Sequence, residues 1–173
     1  YGELMKLNES PGLYGPSAPG FLMKLLYGAR MSAPWLVVSI QRLACHVHKW
    51  NAECDRRIIR LYEYMNCHLD LVVIGELSSA DADNLVIHAW PDADFTVDTM
   101  HTKSTGGIFV EVAGADGRGM PLCFGNKKRG DTALHTPESQ LVTLAFYVRN
   151  EVLPLQALWQ RLLLRPIDVV VHE

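Results

Sequence analysis

A chain of 173 residues, 49% of them apolar and 20% charged, is long enough for one domain or for one domain with a helical attachment. That apolar share excludes an intrinsically disordered chain, and no apolar run approaches the roughly 18 residues a membrane-spanning helix needs. A formal net charge of −3 excludes a globally basic nucleic-acid binder, so any basic surface must be local; Lys127-Lys128-Arg129 is the candidate, with a solvated loop as its plain alternative.

The chain opens with Tyr1 rather than Met and carries no secretory signal pattern, which points to a fragment or a processed product. Cys45, Cys54, Cys67 and Cys123 show no tight pairing pattern and read as free thiols of an intracellular chain.

Glu9 to Gly20 is rich in Gly, Pro and Ser and reads as an irregular arm. Leu22, Leu25, Leu26 and Ala29 then give Phe21 to Met31 a helical face. Ser32-Ala33-Pro34 resets the helix, after which Leu36, Ile40, Leu43 and Val47 recur at helical spacing. A third helix runs from about Asn51 to Asn66, with Ile58, Leu61, Tyr62 and Met65 facing one way.

The periodicity then changes. Leu69 to Ile74 is short and β-branched, and Ser78 to Asn84 is a polar break. Leu85 to Trp90 suits a strand ending at Pro91-Asp92-Ala93-Asp94, and Gly107 to Val112 and Met120 to Gly125 make a hairpin around a glycine-rich turn. Thr136-Pro137-Glu138 is a helix start, with a hydroxyl cap and a carboxylate near the positive end of the dipole. Leu141, Leu144, Ala145 and Val148 continue its apolar face. Pro154 should kink or end that helix, Leu155 to Leu164 is a further helical stretch, and Ile167 to His172 is a last strand. The order is three helices and then β-β-β-α-α-β, a mixed α/β arrangement with antiparallel strands first and a crossover to a final strand; if that strand pairs beside the first in parallel, its far end comes level with Asp92.

Asp92, after the first strand, and Glu138, in the first turn of the long helix, stand out by position. Carboxylates gathered at strand ends and a helix hold hard divalent cations through oxygen, and two such ions stabilise the attacking and leaving oxygens of a phosphodiester displacement. Taken singly, Glu138 is a helix-dipole carboxylate, and Asp92 and Asp94 are turn residues.

The wording of the sequence adds to this. Trp90-Pro91-Asp92-Ala93-Asp94-Phe95 resembles the Tyr-Ser-Asp-Ala-Asp-Trp segment that opens the RNase H domain of copia-type retrotransposons. Lys103-Ser104-Thr105-Gly106-Gly107-Ile108-Phe109, Asn126-Lys127-Lys128-Arg129 and Ala133-Leu134-His135-Thr136-Pro137-Glu138-Ser139 are similar to later segments of that domain, in the same order. Upstream, Leu25 to Pro34 and Arg57 to Leu71 resemble the stretch joining the polymerase to it.

The resemblance covers roughly residue 22 to the end. After the irregular arm, taken as 1–20, it implies a helical connection closing the reverse transcriptase region over 21–80, and an RNase H-like mixed sheet over 84–173, truncated after its fourth strand. It implies metal-dependent hydrolysis of the RNA strand of an RNA–DNA hybrid. Asp92 and Glu138 would be catalytic ligands of Mg2+ or Mn2+, while Lys127, Lys128, Arg129 and Ser104 would contact nucleic acid. The implied partners are the hybrid and the reverse transcriptase portion of the same polyprotein, with no membrane. The implied location is a cytoplasmic retroelement particle or the nucleus.

The family's third ligand, an Asp followed by Asn, falls just past Glu173. Asp168 lies roughly 20 Å short of it at strand rise, and Glu173 points to the opposite face, so neither replaces it. Gln140 stands where the family often has a second Glu, and Pro91 replaces a Ser or Thr. The expectation is a partial metal site with little or no nuclease activity; the alternative is a non-catalytic structural or hybrid-binding platform of a degenerate element. Cys45, His46, His48, Cys54, Cys67 and His68 fit no zinc-finger spacing. Neither Cys123 nor Ser104 has the makings of a triad.

Overall fold

In the computed structural model, which describes residues 10–94, 105–128 and 135–172, Pro19 does not delay the first helix but helps start it. Helix α1 spans Ala18–Ser32, three residues earlier than the periodicity suggests, with Pro19 in its first turn. Proline is favoured there because its fixed φ is already helical and its missing N–H would have no partner in any case. A 3₁₀ turn at Pro34–Leu36 leads into α2 (Val37–Ala44), and α3 spans Ala52–Cys67. Asn51 caps α3, its side chain accepting from the Cys54 N–H at 3.0 Å.

The chain divides into two units, Tyr1–Val72 and Val73–Glu173. In the first, Leu22, Leu36, Ile40, Leu43, Ile58 and Leu61 form one buried core from the three helical faces. Tyr62, placed on that face by spacing, is exposed. The arm is tied down by polar contacts rather than by burial. The Ala52 N–H donates to Ser10 O, Trp50 Nε1 to Asp55 Oδ1 at 2.6 Å, and the Leu13 and Tyr14 amides to the same carboxylate.

Leu69 to Ile74 forms no strand, and Leu69, Val72 and Ile74 stand largely exposed. A β-branched run needs a neighbour to complete its hydrogen bonds, and none of the described strands pairs with this one.

The second unit is mixed α/β. Strands β1 (Val86–Asp94), β2 (Thr105–Ala113) and β3 (Gly119–Lys128) form an antiparallel meander. Helices α4 (Thr136–Tyr147) and α5 (Leu153–Leu163) follow, and β4 (Asp168–Val171) returns parallel to β1, giving the order β3-β2-β1-β4. The hairpin turns at Gly117, whose φ of +80° favours glycine.

Three details differ from the sequence reading. Strand β1 runs through Pro91 instead of ending there. The β1–β4 ladder stops at Ala89↔Val171 and the His172 N–H to Ala89 O bond, where the next β1 donor would be Pro91, which has none. Thr136 is the first residue inside α4, and His135 takes the cap position without a side-chain bond. On α4 the buried residues are Ser139, Thr143 and Tyr147, while Leu141 is exposed. The helix turns its small and hydroxyl-bearing side toward the strands because Gly106 and Gly125 let it approach closely. A β-carbon on Gly106 would lie 2.8 Å from Thr143 Cγ2, and one on Gly125 would lie 3.4 Å from Tyr147 Cε1.

Pro154 falls in the first turn of α5. A π turn at Val148–Val152 joins α4 to α5, widening the backbone just before the proline ring that would clash with an α-helical carbonyl. The Asn150 side-chain amide donates to Phe146 O at 2.6 Å within this turn.

Candidate functional site

Side-chain alternation sorts the sheet into two faces. Ile87, Ala89 and Ala93 of β1, with Gly106, Ile108, Val110 and Val112 of β2, are buried on the face that carries α4. His88, Trp90 and Asp92 of β1 take the other face, as do Phe109 and Glu111 of β2, Phe124 of β3, and Val170 and His172 at β4. Asp92 is exposed on that second face.

Glu138 lies in the first turn of α4, exposed to solvent, near the positive end of the helix dipole. The two carboxylates named by the sequence therefore belong to opposite sides of the sheet. Beside Glu138, Ser139 is 2% exposed and its Oγ has no hydrogen-bond partner among the described residues.

Lys127 is exposed and projects to the helix side, its ammonium 4.8 Å from the centre of the Phe146 ring. Lys128 ends β3 opposite Thr105. Ser104 and Arg129 lie outside the described residues, as do Lys103, Ala133 and Leu134. Cys123 donates a long Sγ–H bond of 3.7 Å to Glu151 Oε2. In the first unit Cys45 and Cys67 are exposed, Cys54 is buried, and His68 stacks on Tyr64 at 4.3 Å. Among the described residues no group of three or more His, Cys, Asp or Glu side chains is arranged to hold a metal ion. Nor is any described helix long and apolar enough to cross a membrane.

The sequence reading missed the most organised feature of the unit. Phe124, Phe109, Trp90 and His172 stack across all four strands, with centroid separations of 5.7, 5.4 and 4.6 Å and planes within 28° of parallel. His88 joins this row, its Nδ1 2.9 Å from His172 Nε2. The rings face one another and turn their edges outward, so the row braces the sheet rather than offering a flat surface for stacking. Strict alternation within His88-Ala89-Trp90 was the signal that could have found it.

No family model matches the chain, and neither does any curated protein or solved structure. The described residues thus define a mixed α/β unit with a four-stranded sheet, joined in sequence to a unit whose described residues form three α-helices. The two-metal centre implied by the resemblance needs oxygen ligands converging on one point. By alternation Asp92 lies on the face away from the helix that carries Glu138.

Proposed function

We propose that this chain is the connection and RNase H-like portion of a copia-type retroelement polyprotein, and that it holds an RNA–DNA hybrid without cleaving it. What carries the reading is the strand order. A three-stranded antiparallel meander, followed by a helical crossover to a fourth strand parallel to the first, is the arrangement the motif order calls for. The motif aspartate, Asp92, then falls near the carboxyl end of the central strand.

Holding is favoured over cleaving by the face on which Asp92 lies. Side-chain alternation puts Asp92 on the face away from α4, whose first turn carries Glu138, and this supports phosphate recognition over a shared cation. Lys127 and Lys128, the last residues of β3, and Arg129, next in sequence, supply the charge for it. The rest of the reverse transcriptase is the natural protein partner in this reading.

The test is a fluorescently labelled RNA–DNA hybrid titrated with the chain at several salt concentrations, with and without magnesium. Three phosphate contacts predict a log–log salt slope of about −2 to −3. The expected result is salt-sensitive binding, weakened by K127A/K128A/R129A, with the RNA strand intact. Magnesium-dependent cleavage abolished by Asp92→Asn would restore the hydrolase reading. Absence of binding at low salt would overturn the platform.

A further inference from the structure

We propose that His88 and His172 form a two-histidine chelate for a divalent transition-metal ion, copper or nickel by preference, that clips β4 onto β1. This inference is independent of any nucleic-acid role and uses neither Asp92 nor Glu138 as a ligand.

The two imidazoles come from adjacent parallel strands and aim Nδ1 of His88 at Nε2 of His172 across 2.9 Å. Imidazole nitrogens bind such ions at about 2.0–2.1 Å. Two of them in neighbouring positions at a right angle are then about 2.9 Å apart, against about 3.4 Å at a tetrahedral angle. The observed spacing is a hydrogen-bond distance and brings the two nitrogens within reach of one ion; the order of first-row affinities for nitrogen donors favours Cu2+ and Ni2+.

In the proposed site the two rings turn out of this hydrogen bond so that both lone pairs meet at one ion. The proton now shared between the facing nitrogens moves to the far nitrogen of its own ring. Two neutral imidazoles therefore take the ion without releasing a proton, and water fills the remaining positions.

The site is held before any metal arrives. The His172 N–H donates to Ala89 O at 2.9 Å, and its ring lies against Trp90 at 4.6 Å with planes 9° apart. His88 is held in the middle of β1 opposite Glu111. Asp92, Glu111 and Asp168 occupy the same face by alternation, so its field favours a cation. The ion also has something to stabilise: β4 pairs over only four residues at a sheet edge, and three of those four are exposed.

The experiment is calorimetric titration of the EDTA-treated, dialysed full chain with CuCl2 and with NiCl2, followed in parallel by tryptophan fluorescence. One equivalent should bind, with at least tenfold weaker affinity in His88→Gln and in His172→Asn and undiminished affinity in H46N/H48N, which removes the histidine pair two residues apart in the first unit. The quenching that saturates with that equivalent should vanish in Trp90→Phe. Because His88→Gln alters the centre of β1, the wild-type protein provides a check that needs no variant. Substoichiometric Ni2+ should broaden the imidazole resonances of His88 and His172 ahead of those of His68. No binding, binding unchanged in His172→Asn, or broadening that spares His172 would overturn the proposal.

Discussion

The phenolic O–H of Tyr147 donates to the main-chain carbonyl of Gly106 at 2.7 Å, where neither group meets water. This bond fixes the end of α4 over β2 at the position where the absence of a side chain lets helix and sheet come together. Tyr147→Phe keeps the ring and leaves the carbonyl without this donor. It should cost about 1–2 kcal/mol, read as a lower urea midpoint with an unchanged slope.

Gly106 itself is a packing requirement. Alanine there would bring its β-carbon to 2.8 Å from Thr143 Cγ2 and 3.3 Å from both Thr143 Oγ1 and Tyr147 Cε2. Gly106→Ala should destabilise by about 1–3 kcal/mol. The double variant G106A/T143S, which removes the offending methyl and keeps the hydroxyl, should recover part of that loss in a double-mutant cycle. Strict additivity of the two changes would show that they do not meet.

The helical unit depends on one cap. Asn51→Ala removes the acceptor for the Cys54 N–H and should lower stability by about 1 kcal/mol, while Asn51→Asp should restore most of it. Thermal melts followed at 222 nm resolve the difference.

Glu53 predicts an acid-sensitive helical unit. Its carboxylate is 5% exposed and takes bonds from Arg56 at 2.9 and 3.1 Å and from Arg57 at 2.9 Å. Hydrogen bonding from Arg56 outweighs the opposing effect of burial and, with Arg57, holds the carboxyl below the usual glutamate value. A depressed carboxyl stabilises the fold fully above its unfolded value and loses that contribution as pH falls through the folded one. The wild-type helical signal should therefore lose stability as pH drops below the ordinary glutamate range, and Glu53→Gln should flatten that part of the profile. An identical acid profile in Glu53→Gln would mean that this carboxylate does not report on folding.

Filling of the second core is predicted by burial alone. Ile87 is fully buried among residues from the sheet and the α4–α5 segment, so Ile87→Ala should cost about 2–5 kcal/mol. Exposed Leu141 on α4 should tolerate alanine within about 0.5 kcal/mol. Denaturant titration of both variants would also test which side of α4 packs.

Much of this fold was readable along the chain. The helical spacing of Leu36, Ile40 and Leu43, the cap region at Asn51 and the change to strand periodicity at Leu85 are local signals, and the order of elements follows from them. Contacts distant in sequence were not readable. The apolar row from Leu141 to Val148 looks like the inner face of α4, but glycines on β2 and β3 decide that Thr143 and Tyr147 go inward instead. Pro91 reads as a strand end because the sequence does not reveal that the β1–β4 ladder stops just before it. Asp92 and Glu138 were visible as carboxylates in suggestive places, yet which face each occupies depends on strand parity relative to a helix that packs more than forty residues later. His88 and His172, 84 positions apart, meet only once β4 lies beside β1.

The π turn at Val148–Val152 gives the second unit an unusual sensitivity to length. Such a turn holds one residue more than an α turn, and each residue advances a helix by about 100°. Loss of a single codon there would leave a continuous α-helix but re-aim everything after it. Leu155, Trp159 and Leu163, which now pack against the sheet core, would swing about a quarter-turn away. Insertions and deletions that surface loops absorb would here be read as misassembly, so the length of this short stretch is kept by the packing of the helix that follows it.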